Sequence, residues 1–159
     1  MKTAIIRTLA IATAAISMNS FAADEYNTAN GLTAAGAPLG FHGVDPVLLT
    51  TLENRHNGNA KYTEVHDGVA YYFSSKDSAK VFKKNPESYL PQNGGFCTFG
   101  VSVGKKFDGD PKYADIYNGK LYVFLNQDIF NLYQKDKAGT IAKATKKWQK
   151  IQHTAATTL

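Results

Sequence analysis

The sequence predicts a single small α+β domain, and three observations predict it. Two strand-like stretches close on Asp67-Gly68 and Asn118-Gly119, the dipeptides that favour tight hairpin turns. Each return strand runs into a helical pattern, and the whole block recurs 51 positions downstream without a gap. Strands and helices in alternating blocks of this size read as α+β.

The elements follow in order. Tyr62 to His66 alternates as a strand does, and Val69-Ala70-Tyr71-Tyr72-Phe73 returns, dense in aromatic and branched residues. Ser74 with Asp77 three residues later resembles a capping box, and Ala79 and Phe82 share a face of the helix it opens. Asn85-Pro86 ends that helix, because a residue before proline avoids helical geometry. Downstream, Ile116 to Gly119 turns, Lys120 to Leu125 returns, and Asn126 to Asp136 reads as a second helix. The shift lays Tyr62 on Tyr113, Gly68 on Gly119, Tyr71 on Tyr122, Phe73 on Phe124 and Phe82 on Tyr133. A last helix over about Thr140–Lys150 sets Ile141, Ala144 or Thr145, and Trp148 along one face, with Trp148 expected to plug the core. Pro91 to Gly100 joins the two units through the paired glycines Gly94 and Gly95.

The N-terminus reads as an export signal. Lys2 and Arg7 supply positive charge at the start of an apolar run from Thr8 to Met18, and Ser20-Phe21-Ala22 supplies small residues for a signal peptidase. The run falls short of the ~20 residues a membrane-spanning helix needs. The expected organisation is therefore a signal peptide over 1–22, a flexible leader over 23–40, a domain over 41–151 and a tail over 152–159. A periplasmic, soluble, monomeric domain is the expectation, and a mature chain of this size can build a core without disulfides. The sole cysteine, Cys97, has no intramolecular partner. Of the formal charge of +5, Lys2 and Arg7 contribute two. The rest gathers at Lys143, Lys146, Lys147 and Lys150, a solvated helix face or a weak attraction for anionic lipid headgroups. Nucleic acid is not an expected partner.

Several motifs resemble those of exported YHS-domain proteins. They are Gly43-Val44-Asp45-Pro46-Val47, the Gly68 to Ser75 stretch, Asn85-Pro86-Glu87 through Tyr89-Leu90-Pro91-Gln92, and Gly94-Gly95-Phe96-Cys97. Asp110-Pro111, Asn118-Gly119-Lys120-Leu121-Tyr122, and Lys143-Ala144 with Trp148 continue the resemblance, which spans Phe41 to Ile151. It implies kinship with the metal-binding modules called TRASH, which are thought to sense or carry metal. In those metal-binding relatives cysteines occupy the positions of Leu48, Ser74 and Ser78 here. A cysteine-built site for copper(I) or zinc is therefore absent from this chain.

The remaining candidate ligands are Cys97, His42 and His66, which could hold copper or zinc weakly. His56 lies in a polar loop and His153 in the tail. No His-x-x-x-His or Cys-x-x-Cys spacing supports a local chelate, and no Gly-x-Ser-x-Gly elbow is present. A lone cysteine between aromatics also reads as a small buried hydrophobe. Three readings stay open: an exported non-enzymatic protein that handles copper or zinc, a metal-free protein- or ligand-binding module using the nine tyrosines and nine phenylalanines, and a thiol-dependent enzyme built on Cys97.

Overall fold

The computed structural model describes residues 22–159, so the expected signal peptide lies outside the described residues except for Ala22. The helices are α1 (Ala22–Glu25), α2 (Pro46–Leu52), α3 (Lys76–Lys84), α4 (Thr98–Ser102), α5 (Gln127–Lys135) and α6 (Lys137–Ile151). Two antiparallel hairpins, β1 (Asn59–His66) with β2 (Val69–Phe73) and β3 (Asp110–Tyr117) with β4 (Lys120–Phe124), complete the α+β domain. No helix among the described residues is long and apolar enough to cross a membrane.

The repeat is real, and it is larger than two hairpins with their helices. Each unit begins with a short 3-10 turn, Phe41–Gly43 or Asn93–Gly95, followed by a short helix, a hairpin and a nine-residue helix. Both hairpins carry the same bulge, between Asn59 and Thr63 and between Asp110 and Ala114. Both nine-residue helices are capped alike, with Ser75 Oγ accepting from Ser78 N and Asn126 Oδ1 accepting from Ile129 N. The cap of α3 is thus Ser75 and not Ser74, because Ser74 is engaged elsewhere. Asp67 and Asn118, followed by Gly68 and Gly119, take the left-handed backbone that the two-residue turns require.

The cores explain why the hairpins read as nearly continuous apolar runs. Tyr71 and Phe73 of β2 pack on Phe82 of α3, with ring centroids 5.3 and 5.0 Å away. In the second unit Phe124 stacks on Tyr133 of α5 at 4.2 Å. The alternate residues of β4, Leu121 and Val123, belong to the first unit's core, so β4 is buried on both faces. Fully burying such a side chain is worth about 2–3 kcal/mol, so these rings dominate the fold's stability. Trp148 does not plug the main core. It is half-buried over a satellite cluster of Phe96, Val101 and Ala144.

The segment 23–40, expected to be a flexible leader, is built into the domain. Ala70 N donates to Pro38 O and Gly40 N donates to Ala70 O, so Leu39 covers the edge of β2 that β1 leaves open. Gln92 N donates to Leu121 O and covers β4 in the same way. Further up, Asn27 N donates to Gly94 O, and Lys106 donates its ammonium protons to Asp24 O, Gln152 O and Thr154 O. The tail is held by the same lysine, and by an ion pair between His153 and Glu25 at 2.6 Å. The composition of 23–40 is poor in apolar side chains, but its docking runs through backbone groups, which composition does not register.

Candidate functional site

Asp45 sits at the start of α2 with no exposed surface. Its Oδ1 accepts from Val47 N at 3.0 Å, Leu48 N at 3.2 Å and Ser78 Oγ at 2.8 Å. Its Oδ2 accepts from Ser74 N at 2.8 Å, Ser74 Oγ at 2.9 Å and Ser78 Oγ at 2.6 Å. A buried carboxylate is tolerated only when its lone pairs are met, and here they all are. The backbone N of Leu48 and the hydroxyls of Ser74 and Ser78, the serines 29 and 33 positions beyond Asp45, converge on this one carboxylate. The arrangement is a closed polar lock that ties α2 to the hairpin and to α3.

Cys97 occupies the matching place in the second unit, at the start of α4, with 1% of its surface exposed. Its sulfur accepts from Gly100 N at 3.4 Å and also faces the N–H groups of Leu125 and Phe99. Burial pushes the thiol pKa up, against the pull of those donors. A thiol of this kind stays protonated near neutrality, which suits packing and not ligation.

His66 ends β1 beside the hairpin turn, its ring edge-on to Phe82 and its side chain 24% exposed. Nε2 lies 3.1 Å from Glu87 Oε1 and 3.6 Å from Asp67 Oδ2. Asp67 also accepts from Tyr26 Oη at 3.0 Å, so the leader steadies this carboxylate. Burial and that hydrogen bond push the Tyr26 phenol well above its ordinary range. Among the described residues, His66, Asp67 and Glu87 form the group whose ligand atoms all lie within 4.8 Å of one another.

His42 lies apart from both. Its Nε2 is 2.8 Å from Asp108 Oδ1, which also accepts from Asn27 Nδ2 at 2.7 Å. The three residues line an open cleft of about 500 Å³ together with Thr28, Ala29, Asn30 and Leu39. Phe41 and His42 hold φ of 52° and 51°, where the second unit's turn uses Asn93 and Gly94 at 55° and 61°. A left-handed backbone costs a bulky residue roughly 1–3 kcal/mol and is common at functional sites. The first unit bears that strain at the residue that places an imidazole in the cleft.

The three candidate ligands therefore stand in three surroundings: Cys97 in the core, His66 at a surface cluster, His42 at the cleft. The sequence reading missed Asp45, Asp67, Glu87 and Asp108 as partners. Asp108 has no local signal beyond its place next to Gly109. The others had a weak signal in that each stands in or next to a quoted motif. Comparison with protein-family models, with curated proteins and with solved structures finds no match for this chain.

Proposed function

We propose that the chain is an exported, non-enzymatic, YHS-like module that binds a divalent ion of the zinc or copper kind weakly at His66, Asp67 and Glu87. The observation that carries this reading is the convergence of one imidazole and two carboxylates within 4.8 Å. With no thiolate in the set, the site favours zinc or copper(II) over copper(I). Glu87 and Asp67 are exposed, so water competes for both and the ion exchanges freely. The closed lock at Asp45 supports the same reading, since it leaves the positions equivalent to the relatives' thiols no room for an ion. Burial of the Cys97 thiol weighs against a thiol-dependent enzyme.

Zinc titration followed by NMR is the test. Added zinc is expected to move the His66 ring signals first, and His66→Ala is expected to remove the effect while leaving the fold intact. Equal binding by wild type and His66→Ala would sink the proposal.

A second reading, a metal-free binding module, rests on the cleft of His42, Asp108 and Asn27. The strain at His42 favours it, because the equivalent glycine would relieve the backbone and empty the cleft of its imidazole.

A further inference from the structure

We infer that the lysine stripe of α6, together with the apolar tip of the loop after α4, docks on an anionic lipid surface. Lys143, Lys146, Lys147 and Lys150 are spaced i, i+3, i+4 and i+7, so they stand on one face of the helix. All four are exposed, and with Ser102 they line an open cleft of about 380 Å³. The buried face of α6 carries Ala144 and the half-buried Trp148 and Ile151, so the stripe points away from the packing.

The stripe has no counter-charge. The helix contains no carboxylate at all. Among the described residues the lysine ion pairs are Lys80–Asp77, Lys83–Glu64 and Lys137–Asp115, none of them in the stripe. The contrast with α3 is informative. It too carries four lysines, but Asp77 and Glu64 answer two of them. A solvated face serves solubility equally well with mixed signs, so a single-sign stripe is a field aimed outward.

The apolar residues choose between a lipid surface and a free anion. Ser102, in the cleft, is followed directly by Val103, which is 59% exposed, and by the exposed Lys105. Phe107, 47% exposed, lies on the same loop and packs along Gly100 of α4. An exposed valine directly after the cleft, on a loop that also carries an exposed phenylalanine, matches a headgroup layer, where the lysines meet phosphates and apolar side chains enter the acyl boundary. A small anion would use the lysines alone.

Vesicle co-sedimentation at two ionic strengths tests the inference. Vesicles of phosphatidylglycerol and phosphatidylcholine in equal parts should bind the protein, less at higher salt, and vesicles of phosphatidylcholine alone should not. Each lysine is worth about fivefold in partitioning, so Lys143→Glu with Lys147→Glu should weaken binding by roughly 25-fold or more. Val103→Ser with Phe107→Ser should also weaken it, and Lys76→Glu with Lys80→Glu on α3 should have a far smaller effect. All three pairs are exposed or nearly so, and unchanged thermal midpoints would establish that each variant is folded. No binding to the anionic vesicles overturns the proposal. So does equal loss from the α3 pair, which would mean net charge alone, or full competition by inorganic phosphate with the Val103 and Phe107 pair unaffected, which would mean a free anion.

Discussion

Cys97 stands in the second repeat where Asp45 stands in the first. Asp45 N donates to His56 O and Cys97 N donates to Phe107 O, both at 2.9 Å. Val44 bridges to Asn57, and Phe96 bridges to Asp108. Each side chain then caps its short helix and faces the N–H of the residue that follows a return strand, Ser74 or Leu125. One copy of the position became a polar lock with two serine hydroxyls. The other became an apolar contact facing leucine.

Asp45→Ala is expected to destabilise the domain by about 3 kcal/mol, since it strands the buried Ser78 hydroxyl, the half-buried Ser74 hydroxyl and several N–H groups. Ser74→Ala and Ser78→Ala should each cost about 1 kcal/mol alone and much less in the Asp45→Ala background. Urea unfolding of the double-mutant cycles measures this coupling. Additive losses would mean that the three side chains do not act as a unit.

The matched turns give a second prediction. A Cβ at Gly94 would meet Glu25 O at 1.8 Å, and the backbone there is left-handed. Gly94→Ala should therefore cost about 2 kcal/mol or more, combining backbone strain with displacement of the leader. His42→Gly should do the opposite, gaining up to about 1 kcal/mol as the strain is relieved, less the small worth of its exposed pair with Asp108. Thermal melts of both variants decide it. A neutral Gly94→Ala would show that the leader does not press on this turn.

Stability should fall in the alkaline range. Burial raises the Cys97 thiol above its ordinary value of 9.0. Burial, with the hydrogen bond to Asp115, raises Tyr133 above 10.0, and burial does the same for Tyr71. Such groups keep their protons longer folded than unfolded, so their contribution is complete below the unfolded values and declines as pH rises past them. The urea midpoint should drop once pH passes about 9, and Tyr133→Phe should blunt the drop above 10. A midpoint unchanged through that range would mean that these phenols and the thiol ionise freely in the folded chain.

The hairpins, both nine-residue helices and the 51-residue shift were legible because each rests on local chemistry: turn glycines, alternating aromatics, a proline stop. The start of each unit was not. Asp45 maps on Cys97 with a shift of 52, because the short helix and loop that lead into the hairpin are together one residue shorter in the second unit, and that slip conceals the match. Ser74 was misread as a cap for a different reason. Its bond to Asp45 spans 29 positions, and local spacing reports nothing about such a partner. The last helix begins earlier than Thr140, at Lys137, because Asp136 closes α5 and caps α6 at once. The cluster of His66 with Glu87 likewise needs the fold, which brings the turn after β1 against the residue that follows Pro86.

Leu121 and Val123 lie in the first unit's interior although they are strung on the second unit's strand. The two halves are consequently interlocked and not merely adjacent. A chain severed between Tyr89 and Pro91 would leave the first half with a missing wall and the second with two bare leucine and valine side chains. Neither fragment would hold its shape alone, and mixing them should restore the native signal by complementation. Two intact copies opened at the same link could trade second halves, producing a swapped dimer whose interior is that of the monomer.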